Sequence, residues 1–238
     1  MISKPLSKYI AYLEGDDYWT DPYKLQRQVD YLEANPTVSC CATRFNTLKG
    51  DKSKKVDFPE HNEVLRFNTQ SVLSGKWSPT QACTLLFHSK HLRPIPDILK
   101  DPSIKAGDWA LNVWLSLYGE IHLLPFNTAN YRVDSNGIWN SQSDDIKIYY
   151  VLSFYVQIMD HIPKSFHKLI CSNFKAVLKE YLSLLSDSKN GQDYIKSISI
   201  LFTLNLSYNN LVIIAKSLIN KIFNKVRIIG GHIKNICT

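Results

Sequence analysis

The chain has 238 residues, 45% of them hydrophobic and 21% charged, and a formal net charge of +7. That length suffices for one substantial core, alone or with an extension, and the composition excludes a disordered or low-complexity chain. Five cysteines, Cys40, Cys41, Cys83, Cys171 and Cys237, are odd in number and lack metal-ligand spacing, which argues for reduced thiols over a disulfide framework.

Tyr9 to Leu13 is an apolar run with the length and residue types of a buried strand. It ends in three acids within four positions, Glu14, Asp16 and Asp17. Strand ends in open α/β sheets are where ligands bind. Carboxylates gathered there repel one another unless a cation sits among them, so this turn is a candidate divalent-metal site; its ordinary alternative is an acidic surface turn. Asp21 and Pro22 suit the cap and first position of a helix. Leu25, Val29 and Leu32 then predict its apolar face until Asn35-Pro36 stops it. Val38 to Phe45 predicts a strand on which Cys40 and Cys41 point to opposite faces. Lys49 to Lys55 predicts a charged loop, Asn62 to Leu73 a helix, and Gln81 to Phe87 a second core strand. His88 and His91 read as surface residues at that strand's end. Asp108 to Tyr118 predicts a helix with Trp109, Val113 and Leu117 inward, and Glu120 to Pro125 and Ala129 to Val133 predict two short strands.

From Ser143 to Ile229 apolar residues recur at helical spacing, with breaks at Ile162-Pro163 and Ser188 to Gly191. The expected organisation is an α/β domain over 1–142 and an all-helical extension over 143–238. Ser197 to Ala215 is uncharged over 19 residues, but Asn205, Asn209 and Asn210 among other polar groups make it a broken helix pair rather than a span. Asp193 is the last acid, and Lys196, Lys216, Lys221, Lys225, Arg227 and Lys234 follow it. No aromatic-basic interleaving accompanies these cations, so nucleic acid is not an expected partner. An anionic membrane surface is the functional expectation, and a solvated helix face is the bland one. Met1 to Ser7 has no apolar leader core. A cytoplasmic location is expected, at the inner face of the plasma membrane if the tail engages it.

The stretch from Lys8 to Leu25 resembles, nearly position for position, the metal-binding motif of family 2 glycosyltransferases, which reads close to YIA-x-L-[DE]-G-D-D-Y-W-T-D-P-x-K-L. The resemblance implies a GT-A fold, a nucleotide-diphospho-sugar-binding α/β sandwich with a mainly parallel sheet. It also implies Mg²⁺ or Mn²⁺ held against the donor diphosphate, with Glu14 and Asp16 as the acidic pair and Asp17 beside the donor. In that family a complete βαβ half precedes this motif, and here seven residues do, so the chain is expected to be the C-terminal part of such an enzyme.

Two further segments carry the likeness. Gly107-Asp108-Trp109, beyond the second core strand, matches the place of the family's general base, which makes Asp108 the candidate to take a proton from the acceptor hydroxyl. A helix N-terminus is expected to lower its pKa; helix capping is the competing role. Tyr131-Arg132-Val133-Asp134 to Trp139 resembles Y-R-x-H-x-x-G-x-W, with Asp134 in place of the His that can complete the metal site. Arg132 and Trp139 are implied donor contacts, and Thr80 and Gln81 acceptor contacts. The implied activity is inverting, metal-dependent transfer from a nucleotide-sugar to a glycan or lipid-linked acceptor, in surface polysaccharide biosynthesis. The alternative is an inactive fragment or pseudoenzyme whose basic helical tail binds a membrane or a protein partner.

Overall fold

A computed structural model of the chain describes residues 7–49, 52–55, 63–76, 78–133 and 141–187. It divides into two compact units, Met1–Asn173 and Phe174–Thr238. The first is a mixed α/β unit built on one curled sheet. Its strands are β1 (Tyr9–Ala11), β2 (Tyr18–Trp19), β3 (Val38–Lys49), β4 (Lys52–Lys55), β5 (Leu65–Phe67), β6 (Leu86–His88) and β7 (Glu120–Arg132). Its helices are α1 (Lys24–Ala34), α2 (Thr69–Ser74), α3 (Gly107–Ser116) and α4 (Asp144–Gln157), with α5 (His167–Asp187) running on into the second unit.

The sheet order is β1-β6-β3-β7-β2, with β4 added to β3 and β5 to β7. The two long strands β3 and β7 lie side by side and parallel; the other five pairings among the described residues are antiparallel. The mainly parallel sheet that the resemblance implied is therefore not what these residues form. The antiparallel partners are short pieces of two to four residues, which need no crossover helix.

Several elements differ from the sequence expectation. The single strand β7 replaces two short ones, because Pro125 falls where its ladder to β3 is irregular, between Thr43 and Arg44. The charged stretch after Lys49 folds back as β4 against Asn46 to Lys49. The predicted helix ending at Leu73 is β5 followed by α2, whose N-cap Asn68 accepts from Ser71 N–H at 2.9 Å. The run from Gln81 is a 3-10 turn (Ala82–Thr84) that leads into the short β6.

The α1 helix keeps Leu32 and Val29 of the expected face against the core but turns Leu25 out and takes in two polar residues. Lys24, Gln28 and Leu32 are buried, whereas Leu25 is 39% exposed. Gln28 accepts from Lys24 Nζ at 2.7 Å and donates to the carbonyls of Cys41 at 3.1 Å and Thr84 at 2.9 Å. Both donor positions of the Gln28 amide and its oxygen are thus engaged, which is how a polar pair survives in a core.

On the other side α3 buries Trp109, whose ring stacks on Phe154 of α4 at 4.0 Å and whose Nε1 donates to Val72 O. Tyr155 of α4 donates to Gly75 O. Gly119, just before β7, lies so close to Thr37 that any Cβ would collide with its carbonyl. Cys40, Cys41, Cys83 and Cys171 are free thiols. His88 and His91, read as surface residues, are both buried instead, in a ring cluster with Tyr9 and Tyr118. Burial drives both below the usual imidazole range, His91 to about 4. Among the described residues no helix is long and apolar enough to cross a membrane. Asp134, Trp139, the 197–215 stretch and the basic tail lie outside the described residues.

Candidate functional site

The acidic turn joins β1 to β2, both edge pieces of the sheet, and is closed by Asp17 N–H donating to Glu14 O at 3.2 Å. Asp16 is exposed, while Asp17 is buried. Asp17 Oδ1 accepts the backbone N–H of Arg132 at 2.8 Å, which fastens the turn to the end of β7. Its Oδ2 is buried with no hydrogen bond of regular geometry, and the thiol of Cys83, a weak donor, lies beside the carboxylate. Burial raises the Asp17 pKa in spite of the Arg132 N–H and the thiol, which favour its charge. The Cys83 thiol is in turn pushed up by burial and by Asp17.

Glu14 feels the crowding most. Burial of its carboxyl end, then the charges of Asp17, Asp108 and Asp16, push it up to about 7. The residue as a whole is exposed, so solvent screens part of that cost. Asp108 is brought into this group from a distant point of the chain. It sits in the first turn of α3, half-buried, and is not the N-cap, which is Ala106. The expectation of a lowered pKa does not hold. Burial raises it and outweighs the backbone N–H groups of Trp109 and Asp108 itself.

Tyr131 lies within reach of all four charges. Burial raises its phenol, and so do the charges of Asp17, Glu14, Asp16 and Asp108. Its ring meets Phe45 edge-on at 6.0 Å and packs with Trp19 against Phe45, Cys83 and Ala129. Four acids thus act on one aromatic side chain, in a setting that raises Glu14, Asp17 and Asp108.

The other expected residues fall into place unevenly. Thr80 is buried and donates to Asn112 Oδ1 at 2.8 Å, so its hydroxyl ties its loop to α3. Asn112 also donates to Ser78 Oγ and to Asp108 O, which links that loop to the candidate base. Gln81 is half-buried and accepts through its backbone from Thr84. Arg132 has an exposed side chain beside Asp17.

Among the described residues no three carboxylate, imidazole or thiol groups converge closely enough to hold one ion. Glu14, raised by burial and by three neighbouring carboxylates, is the group whose charge a cation would relieve.

Comparison with known proteins adds relatives but no activity. No protein-family model matches the chain. Over 145 residues it is 31% identical to an uncharacterized protein of Mycobacterium bovis and to uncharacterized proteins of two Mycobacterium tuberculosis strains. The match takes in 61% of this chain and 40% of each relative, so the chain spans about two-fifths of the length of those proteins.

Sequence reasoning missed Tyr131, Cys83 and the Lys24–Gln28 pair as parts of the site's frame. Tyr131 and Lys24 stood in the quoted motifs without a role. The one available signal for the pair was spacing, since Lys24, Gln28 and Leu32 recur every fourth residue on one helix face.

Proposed function

We propose that this chain carries the donor-phosphate and base end of a metal-dependent glycosyltransferase of family 2 type with a GT-A fold. What supports the reading is the meeting of Glu14, Asp16 and Asp17, at the end of β1, with Asp108 at the start of α3, close enough for their charges to act on one another.

Glu14 and Asp16 are the residues that would hold Mg²⁺ or Mn²⁺, with the nucleotide-sugar diphosphate completing the ion's ligands. The cation would offset charge on the departing diphosphate. Asp17 braces the turn through Arg132 N–H and is not spent on the ligand. Asp108 would accept the proton of the attacking hydroxyl, and burial, which raises its pKa, makes it a stronger base than a solvated carboxylate. Tyr131 and Trp19 form the apolar wall that strengthens each of these charges. The substrate class, sugar transfer to a glycan or lipid-linked acceptor, belongs to the same proposal.

Thermal denaturation of the full chain with Mn²⁺ and UDP, and in parallel GDP and dTDP, tests it. One of these pairs should raise the melting temperature, and Asp16→Ala should abolish the rise. No rise with any pair, or an undiminished rise in Asp16→Ala, would contradict the assignment.

A further inference from the structure

Among the described residues β1 has one strand neighbour. It pairs with β6 at Tyr9 and His88, Ile10 and Phe87, and Ala11 and Leu86. Backbone bonds from Ser89 N–H to Lys8 O at 2.9 Å and from Tyr12 N–H to Leu85 O at 3.4 Å extend the pairing at both ends. Glu14 follows Ala11 by three residues, so whatever fixes β1 also fixes one end of the acidic turn. Asp17 ties the other end to β7.

Side-chain rings close the β1–β6 seam. Tyr9 lies against His88 with ring centroids 4.6 Å apart, His88 meets His91 edge-on at 6.0 Å, and His91 lies against Tyr118, just beyond α3, at 4.6 Å. Trp114 of α3 meets Tyr118 edge-on at 5.4 Å and donates through Nε1 to the His91 carbonyl at 2.7 Å. The rings thus run from the sheet edge to α3, and both imidazoles among them are buried.

The surrounding charges disfavour an imidazolium. Lys8, just before β1, and Lys90, between the two histidines, oppose a proton on His88, and Glu33 of α1 is the acid that favours one. Glu33 already accepts from Lys8 Nζ and, at 2.9 Å, from the Tyr9 hydroxyl. His91 faces the Tyr118 ring, Lys90 and His88; the last two oppose its charge, and among the described residues no acid acts on it. Arg93, two residues on, donates to Ser7 O. A proton taken up by either ring therefore becomes a buried cation among cations.

We propose that the His88–His91 pair is an acid-sensitive latch: with both imidazoles neutral the ring seam clamps β1 onto β6, and a proton taken up there releases β1 and with it one end of the acidic turn. The latch rests on these contacts and not on the glycosyltransferase reading.

Burial holds both histidines below the ordinary imidazole value of 6.5, His91 at about 4. Between those values the open state, with its rings solvated, binds more protons than the closed one. The seam is therefore at full strength above 6.5 and weakens as pH falls towards 4. Glu14 titrates over much of the same window with the opposite sign, so the variants must be compared with the parent chain at each pH.

Hydrogen exchange read by mass spectrometry on the full chain at pH 7 and pH 4.5, corrected for the intrinsic rate at each pH, tests the latch. Protection of the 8–13 segment should fall about tenfold or more from pH 7 to pH 4.5. The fall should stay within about twofold in the double variant His88→Phe/His91→Phe, which keeps the rings and removes the titration. Should that variant fail to fold, Lys90→Glu, at an exposed position, carries the test. A carboxylate beside both imidazoles favours their protonated forms, so there the fall should shrink about threefold or more. No fall in the parent chain, or an equal fall in either variant, would overturn the latch.

Discussion

Glu14 shows in one side chain what the acidic turn costs. Its carboxyl holds a proton up to about 7 in the folded chain, against 4.5 for the free group. Between those values the folded state binds more protons than the unfolded one, so stability falls as pH rises through that window. Glu14→Gln should therefore raise the melting temperature at pH 8, by roughly a few degrees, and leave it unchanged at pH 4. Thermal scans at the two pH values check this, and an equal effect at both would remove the repulsion. Asp17 poses a different case, because one of its oxygens is used and the other is not. Asp17→Asn keeps an acceptor for Arg132 N–H and removes a buried charge, so it should be at least as stable as the parent chain. Asp17→Ala leaves that N–H without its partner and should cost about 1–3 kcal/mol in urea denaturation. The acids themselves were legible in the sequence, because three carboxylates after an apolar strand carry their own electrostatic signature. Tyr131 and Cys83 were not, because their nearness to the acids depends on the β2–β7 pairing and the 3-10 turn before β6.

At the scale of elements, local signals succeeded where they were strong. Asn35-Pro36 ends α1, and Ile162-Pro163 separates the helical stretches on either side. They failed where tertiary contacts override local preference. The buried stripe of α1 is Lys24, Gln28 and Leu32 because the Gln28 amide bridges β3 and the turn before β6, a benefit no hydrophobic count registers. The continuous β7 is stabilised by its long parallel pairing to β3, which outweighs an internal proline. The turn that launches β7 depends on Gly119. Gly119→Ala should force β3 and β7 apart at that end and cost about 1–3 kcal/mol, read as a lower urea midpoint with an unchanged slope. No loss would mean that Thr37 moves aside freely. The start of α3 shows a competition of similar kind. A helix N-terminus favours a charged Asp108, burial disfavours it, and burial prevails.

At the scale of the whole chain, the mixed α/β class was readable from alternating strand-like and helix-like segments, while the balance of parallel and antiparallel pairing was not. Pairing direction depends on which distant strands meet, and β3 and β7 meet from Val38 and Glu120 to Leu48 and Arg132. The proposed activity depends on that meeting too, since it carries Tyr131 to the acids of the β1–β2 turn. A cation bound there must displace the proton that Glu14 shares near neutral pH. Isothermal calorimetry at pH 7, with Mn²⁺ and the nucleoside diphosphate that gives a melting shift, in two buffers of different ionisation enthalpy, measures that displacement. The account predicts net proton release on binding that disappears in Glu14→Gln. Binding with no proton release, or with release unchanged in Glu14→Gln, would contradict it.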